Sequence, residues 1–410
     1  MNPIIFYGAG KFAKENIKTW EKNGIIPMCF ADGDISKHGK TCGGISVLSL
    51  TEALTKWPLA DIYVTVGVDA LGKVTQYLLG LGIPETRIKY PYPVEKRLGC
   101  KFLGTRVQFM GGYFQTCCVN KLTEKERIRY NENDFAENMW EYKRVCKSMI
   151  ETMRSGYGGA CEGCAQLRYD IWPVEPQLEV IGFDTAFKED RCNFKCIYCG
   201  FRESMKEERL KTSLLDTIKQ FEQYSEGAHK NIVLASGEIA VSPYCTEVFE
   251  IIKRNQWDVH VFTNASVYIP VLAELLKSNQ AKIQVSMDAG LRDTFAKVKG
   301  LDFWDKVSAN LRKYAEHCLP NQIELKFILM PGVNDNDLDI DGFLQLAKET
   351  KASIFLSSDI NIKSEELPEK TYQCALRLGK RALEENIQFA LVAEFFNLQS
   401  YKKLVEELYG

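Results

Sequence analysis

Three cysteines stand close together near the middle of the chain. The stretch reads Cys192-Asn-Phe-Lys-Cys196-Ile-Tyr-Cys199, a C-x3-C-x2-C spacing. Thiolate sulfur is a soft ligand that suits zinc and iron–sulfur clusters. Three thiolates can hold three irons of a [4Fe–4S] cluster and leave the fourth iron without a protein ligand. An open iron can chelate a small molecule and deliver an electron into it. A closed structural zinc site takes four ligands, and no fourth cysteine or histidine is nearby in sequence. The competing readings are zinc with a remote fourth ligand, or cysteines that merely share a loop.

The sequence holds fourteen cysteines in 410 residues. A disulfide framework belongs to short secreted chains. Met1 to Gly10 lacks a basic region and a cleavage pattern, and no 18-residue apolar run appears. We therefore expect a cytoplasmic protein without a transmembrane helix, and metal ligation as the reason for clustered cysteines. A second group fits that expectation. Cys161-Glu-Gly-Cys164 is a C-x2-C preceded by Ser155-Gly-Tyr-Gly-Gly159, and Cys117-Cys118 lies upstream. Together they would bind a second iron–sulfur cluster or a zinc, with Cys100 or Cys146 able to replace one of the adjacent pair. Reduced thiols on a turn are the plainer reading. Isolated Cys29, Cys245, Cys318 and Cys374 read as small buried hydrophobes. Lys and Arg number 52 against 54 Asp and Glu. That balance excludes nucleic acid and an anionic membrane surface as main partners.

The elements that must position these cysteines follow from periodicity. Residues 3–7 form an apolar run that ends at Gly8-Ala-Gly10, with Ala13 completing G-x-G-x-x-A. A second run covers 25–31 and ends at Asp32, and a third covers 62–66. Strand, glycine turn, helix and strand in that order predict a small parallel α/β domain over 1–98. Residues 99–177 show little strand alternation and read as a cysteine-containing connector, with a charge-rich, mostly helical stretch over 122–153. From 178 to 410, β-rich runs at 178–183, 231–235, 259–262, 282–286, 323–329, 353–356 and 387–392 alternate with amphipathic stretches. In the first of these stretches Thr212 or Ser213 can cap, and Leu214, Leu215, Ile218 and Phe221 share one face. Repeated βα units predict a partial TIM-like (β/α)6 barrel, with functional residues at the C-terminal ends of its strands.

The triad, placed after the first barrel strand and with an aromatic residue before its last cysteine, resembles the radical S-adenosylmethionine (SAM) superfamily over about 178–395. Further positions agree. Ala235-Ser-Gly237-Glu238 after the second strand is similar to the family's glycine-rich GGE motif, with Ser236 in place of the first glycine. The resemblance implies that Gly237 and Glu238 meet the SAM amino group and that Tyr198 lies beside the adenine. It also implies that Thr263 and Asn264, after the third strand, and Ser286 and Asp288, after the fourth, contact SAM, the latter two at the ribose hydroxyls. Asn334, Asp335, Ser357 and Asp359 are weaker candidates. The implied chemistry is reductive cleavage of SAM at a [4Fe–4S] cluster to a 5′-deoxyadenosyl radical, which abstracts hydrogen from a substrate. An electron donor such as flavodoxin or ferredoxin is implied too. The cysteines of 99–177 resemble the SPASM-like extension of some members, although here they precede the barrel.

Gly8, Gly10 and Asp32, which lies 24 residues beyond Gly8, fit a dinucleotide fingerprint in outline. The stretch from Phe30 to Leu48 resembles the Rossmann-like N-terminal domain of sugar acyltransferases, which implies a nucleotide or nucleotide-sugar ligand. The leading expectation is thus a radical SAM enzyme. A peptide or protein substrate is suggested by the second cysteine group, and a sugar by the N-terminal domain. The rival is a non-catalytic, nucleotide-sensing scaffold with structural metal sites. An open iron beside Gly237 and Glu238 favours the enzyme, because a scaffold needs neither.

Overall fold

Strand β1, Ile4–Tyr7, is apolar at every position, and burial explains why. Ile5 and Tyr7 belong to one buried cluster, while Phe6 belongs to another with Ala13, Ile17 and Trp20. Successive side chains point to opposite faces, so apolar layers cover both sides of this strand. The computed structural model describes all residues except 1, 93–95, 118–121, 123–124, 156–158, 163, 165, 173–176, 185, 201–208, 226, 236 and 363. Around β1 run β2 (Cys29–Ala31), β3 (Thr41–Cys42), β4 (Ile45–Leu48), β5 (Asp61–Val64) and β6 (Ile88–Lys89), in the order β3-β4-β2-β1-β5-β6. All neighbours pair in parallel except β3 with β4. The chain leaves β1 for β2 on one side and later returns to β5 on the other, so the order reverses at the end of β1, where Gly8 lies. A two-stranded antiparallel ribbon of β7 (Arg97–Gly99) and β11 (Arg168–Asp170) belongs to the same unit.

The chain divides into two units, residues 1–105 with 146–177 and residues 106–145 with 178–410. The connector expected at 99–177 is therefore shared between them. The reason lies in backbone pairing. Strand β8 (Arg106–Met110) lies parallel to β12 (Val180–Phe183), with Val180 opposite Arg106 and Phe183 opposite Phe109. Strands β9 (Tyr113–Gln115) and β10 (Arg127–Arg129) extend the same sheet in antiparallel fashion. Rings lock this addition in place: Phe109 stacks on Phe183 at 5.2 Å and meets Phe114 and Tyr130 edge-on. Short apolar strands with no long alternation hide this role in the sequence.

The second unit carries one ten-stranded sheet, in the order β10-β9-β8-β12-β13-β14-β15-β16-β17-β18. Its further strands are β13 (Asn231–Leu234), β14 (Asp258–Phe262), β15 (Ala281–Ser286), β16 (Ile323–Leu329), β17 (Ser353–Ser358) and β18 (Phe389–Leu391). Pairing is parallel from β8 to β18. All seven apolar runs of the sequence become strands β12 to β18. With β10 and β18 at its edges the sheet is a partial barrel. Ile232, Val259, Val261, Ile283, Val285, Leu325 and Phe327 are buried on one face, and Phe327 meets Phe343 of helix Asp337–Glu349 edge-on at 4.9 Å. Their neighbours Val233, His260, Phe262, Gln284, Ser286 and Lys326 stay half-buried on the other face. This is the pattern of a parallel sheet with helices outside and an open, more polar inside. The helix after the cysteine loop, Leu214–Ser225, begins as expected, with Ser213 Oγ accepting from Asp216 N–H at 3.0 Å. Among the described residues no helix is long and apolar enough to cross a membrane.

Candidate metal and SAM site

The cysteine loop follows β12 at the C-terminal edge of the sheet. Asp190 opens it, accepting the N–H groups of Ala186 and Phe187 at 3.0 and 2.9 Å. Cys192 and Cys196 are half-buried and Cys199 is exposed. Burial pushes the Cys192 thiol up to about 11 and raises that of Cys196. Without metal these side chains are held as thiols, and ligation to iron displaces the proton. Among the described residues, no three His, Cys, Asp or Glu side chains converge on a single metal ion. A cubane takes its three thiolates at three separate corners. Three thiolates in this spacing are the donor set that a [4Fe–4S] cluster takes.

Two strand ends reach over to this loop. Glu238, after β13, is 2% exposed, and its backbone N–H donates to Arg191 O at 2.7 Å. Its carboxylate accepts from Ala240 N–H at 3.1 Å, Thr263 Oγ at 2.8 Å and the N–H of Asn264. Burial raises its pKa, opposed by those hydrogen bonds. Gly237 before it takes φ +49°, a left-handed backbone that glycine adopts without strain. Ser236 lies outside the described residues. After β14, Asn264 Nδ2 lies 2.7 Å from Asn193 Oδ1 and 3.9 Å from Cys192 Sγ. Asn193 in turn donates to Ser266 Oγ at 2.9 Å. The structure thus brings Glu238, Thr263 and Asn264 together with the Cys192 end of the loop. The enclosed cavity beside Glu238, lined by Phe183, Leu234 and Ile239, holds about 20 Å³. That is room for about one water, so a molecule of SAM's size has to use the open face.

Asp288 occupies a different place from the one expected. It is fully buried, not open to a ribose. One carboxylate oxygen accepts the N–H of Ile328 at 2.8 Å, and the other takes Tyr198 Oη at 2.6 Å and the ammonium of Lys299. Tyr198 therefore turns its hydroxyl into the protein, while its ring packs on Val298, Ile328 and Met330. Burial and the Asp288 carboxylate raise the phenol well above its ordinary pKa. Ser286 remains half-exposed on the inner face, opposite Lys326. Asn334 and Asp335 are structural: Asn334 holds Asp288 O and Ile328 O, and Asp335 holds Thr371 and Lys370.

Lys299 escaped the sequence reading, because a lysine in the last turn of a helix reads as a solvated end. Its one signal is Gly300 directly after it. Gly300 takes φ +72°, and a Cβ there would stand 2.9 Å from the carbonyl oxygen of Lys195 inside the cysteine loop. Gly300→Ala should strain both the helix end and the loop, at about 1–3 kcal/mol. A lower Tm and reduced iron after anaerobic reconstitution would show it. Retention of both would mean that the loop adapts freely.

The second cysteine group is less defined. Cys161 and Cys164 form a turn, with Cys164 N–H donating to Cys161 O at 3.1 Å. They belong to the first unit, as do Cys100 and Cys146, whereas Cys117 belongs to the second. Cys118 lies outside the described residues. In the glycine turn, Gly8 takes φ +112°, and a Cβ there would meet Val66 at 2.5 Å. Packing alone therefore accounts for that glycine. Asp32 accepts the Ala9 N–H at 2.7 Å, Asp34 N–H at 2.9 Å and the Lys37 ammonium at 2.9 Å. Burial alone would raise its pKa, but these partners hold it below the usual carboxylate value.

Comparison with known proteins now adds to the geometry. The profile of the radical SAM superfamily matches residues 190–344. The GTP 3′,8-cyclase of Desulforamulus reducens is 26% identical over 166 residues, covering 39% of this chain and 50% of that protein. That of Acaryochloris marina is 28% identical over 163 residues, covering 36% and 48%. The chain spans about half the length of these curated relatives. Among solved structures, Streptococcus suis SuiB bound to precursor peptide SuiA superposes with a TM-score of 0.42 at 12% identity, covering 77% of this chain and 79% of that one. A likeness at that level says nothing of substrate. The matched stretch opens two residues before Cys192 and runs on past the ends of β13, β14, β15 and β16, so residues 190–344 form a radical SAM domain, of the superfamily whose cofactors are a [4Fe–4S] cluster and SAM.

Proposed function

We propose that this chain cleaves SAM reductively and removes a hydrogen atom from a polar substrate seated over the inner face of the sheet. One observation carries the reading. Asn264 and Glu238, from two different strand ends, are fastened to the Cys192 end of the cysteine loop. The bound cluster would supply the electron that breaks the sulfonium C–S bond of SAM, giving methionine and the 5′-deoxyadenosyl radical. The chain's own residues bind and orient. Cys192, Cys196 and Cys199 hold three irons, Glu238 keeps a free lone pair for the SAM ammonium, and Gly237 lets the backbone come close. Ser286, on the open face, is placed for a ribose hydroxyl. No side chain needs to act as a nucleophile. The electron would come from a flavodoxin or ferredoxin.

The inner face supports a polar substrate. His260 and Glu324 lie 3.1 Å apart there, and Gln284, Ser286 and Lys326 share that face. A peptide or protein side chain and a sugar both fit that chemistry, and the relatives named as GTP 3′,8-cyclases add a purine nucleotide. The test is anaerobic turnover with SAM and dithionite in the presence of GTP, a peptide mixture or nucleotide sugars in deuterated form. Deuterium recovered in 5′-deoxyadenosine identifies the class. Absence of 5′-deoxyadenosine with every reductant, from protein carrying four irons, would sink the reading.

A further inference from the structure

We propose that Lys299, Asp288 and Tyr198 form a positioning network that sets the reduction potential of the cluster held by the cysteine loop. The inference rests on the reading that Cys192, Cys196 and Cys199 hold that cluster.

The placement is unusual. Lys299, the last residue of helix Arg292–Lys299, is 2% exposed, and its partner Asp288 is 0% exposed. Lysine is almost never buried unless paired. Asp288 adopts φ +57°, a costly backbone for a residue other than glycine. The network closes on itself. The Lys299 ammonium reaches Asp288 Oδ2 and lies 2.8 Å from Tyr198 Oη, which lies 2.6 Å from the same carboxylate oxygen. Asp288 Oδ1 is taken by Ile328 N–H.

Stability does not account for it. A buried ion pair is commonly no better than apolar side chains of the same volume, because desolvation offsets the attraction. What differs here is the neighbour. Tyr198 sits in the cysteine loop between Cys196 and Cys199, and its hydroxyl carries the Asp288 and Lys299 contacts to that loop. The carbonyls of Val298 and Lys299 accept Ile197 N–H at 3.0 Å and Lys195 N–H at 2.9 Å. The cysteine loop is thus docked on the end of the helix that carries the ammonium. That end is the negative pole of the helix, which alone would disfavour an anionic cluster, and the lysine opposes it.

The step concerned is one electron entering the oxidised cluster, [4Fe–4S]2+ to [4Fe–4S]+, from a low-potential one-electron reductant, with no proton moved. The three-thiolate assembly gains one negative charge. A fixed ammonium in a dry site favours that added charge, so its removal makes reduction harder.

The test is a redox titration of the reconstituted full chain, read by electron paramagnetic resonance, with iron counted in each sample. Lys299→Met should lower the reduced-to-oxidised ratio at a given potential about tenfold, a fall of about 59 mV in midpoint. Lys299→Arg should restore most of it. Should Lys299→Met fail to hold its cluster, the double variant Asp288→Asn, Lys299→Met leaves no unpaired charge and should still move the midpoint away from that of the wild type. An unchanged midpoint in variants that keep four irons overturns the proposal. So does loss of iron in both the Met variant and the double variant, which would make the network a prop for the loop. A wild-type chain that takes up no iron fails one step earlier, at the cluster itself.

Discussion

Changing Cys192, Cys196 and Cys199 together to alanine will remove about four irons per chain and all formation of 5′-deoxyadenosine from SAM. The three thiolates are the protein's ligands in this reading, and sulfide and SAM supply the rest, so nothing in the loop replaces them. The alanines also leave the loop's backbone docking intact, because Lys195 N–H and Ile197 N–H, not the sulfurs, bind the helix end. The variant should therefore fold, with a Tm close to that of the metal-free wild type. Metal analysis and chromatographic assay of 5′-deoxyadenosine read the result. Continued production of 5′-deoxyadenosine by the triple variant would remove the cluster from this loop. Iron that survives the triple change would mark a second site, and loss of that remainder on replacing Cys161 and Cys164 would place it.

The second large effect belongs to Glu238. Glu238→Ala removes a charge-assisted bond to the SAM ammonium, worth about 1.5–3 kcal/mol, or roughly tenfold to a hundredfold in Kd. It also strips three donors of their acceptor: Ala240 N–H, Thr263 Oγ and Asn264 N–H. Each unsatisfied buried group costs about 1–3 kcal/mol, so the alanine variant should lose Tm as well as SAM affinity. The pH dependence has a definite sign. Burial raises the Glu238 pKa above the ordinary 4.5. The ammonium needs the carboxylate, so SAM affinity is full above the raised pKa and falls as pH drops through it. Equilibrium binding of SAM across pH 5 to 8 reads this. Affinity that is flat over that range in the wild type and unchanged in the alanine variant would put Glu238 outside the site.

The barrel was legible because each strand announces itself by a short apolar run between glycine or polar turns, and β12 to β18 stand where those runs lie. The triad was legible because its ligands are neighbours in sequence. Two things were not. Strand β8 joins the sheet through pairing with a strand about seventy residues later, and no local period records such a partner. Asp288 looked like a strand-end polar residue facing ligand, but its burial is decided by Lys299 on the following helix and Tyr198 in the cysteine loop. Local pattern reports which residues are polar, and only tertiary packing reports where they point. The N-terminal glycine turn shows the converse. Its motif is present, and the structure sets Asp32 on the Ala9 N–H and Val66 against Gly8 while the space at Gly10 stays open.

The docking of the cysteine loop has a consequence for biogenesis. Its fastenings come from Ser266, more than seventy residues downstream, and from Lys299, more than a hundred downstream. While the chain is being synthesised, the three thiols emerge well before either. A nascent chain therefore displays them unshielded and unoriented, and the site comes into being only when helix Arg292–Lys299 folds back. Closing so long a loop is entropically costly and slow. Iron delivered before that moment would find an unorganised peptide, so the loop offers an oriented ligand set only once the chain through Lys299 has been made and has folded back.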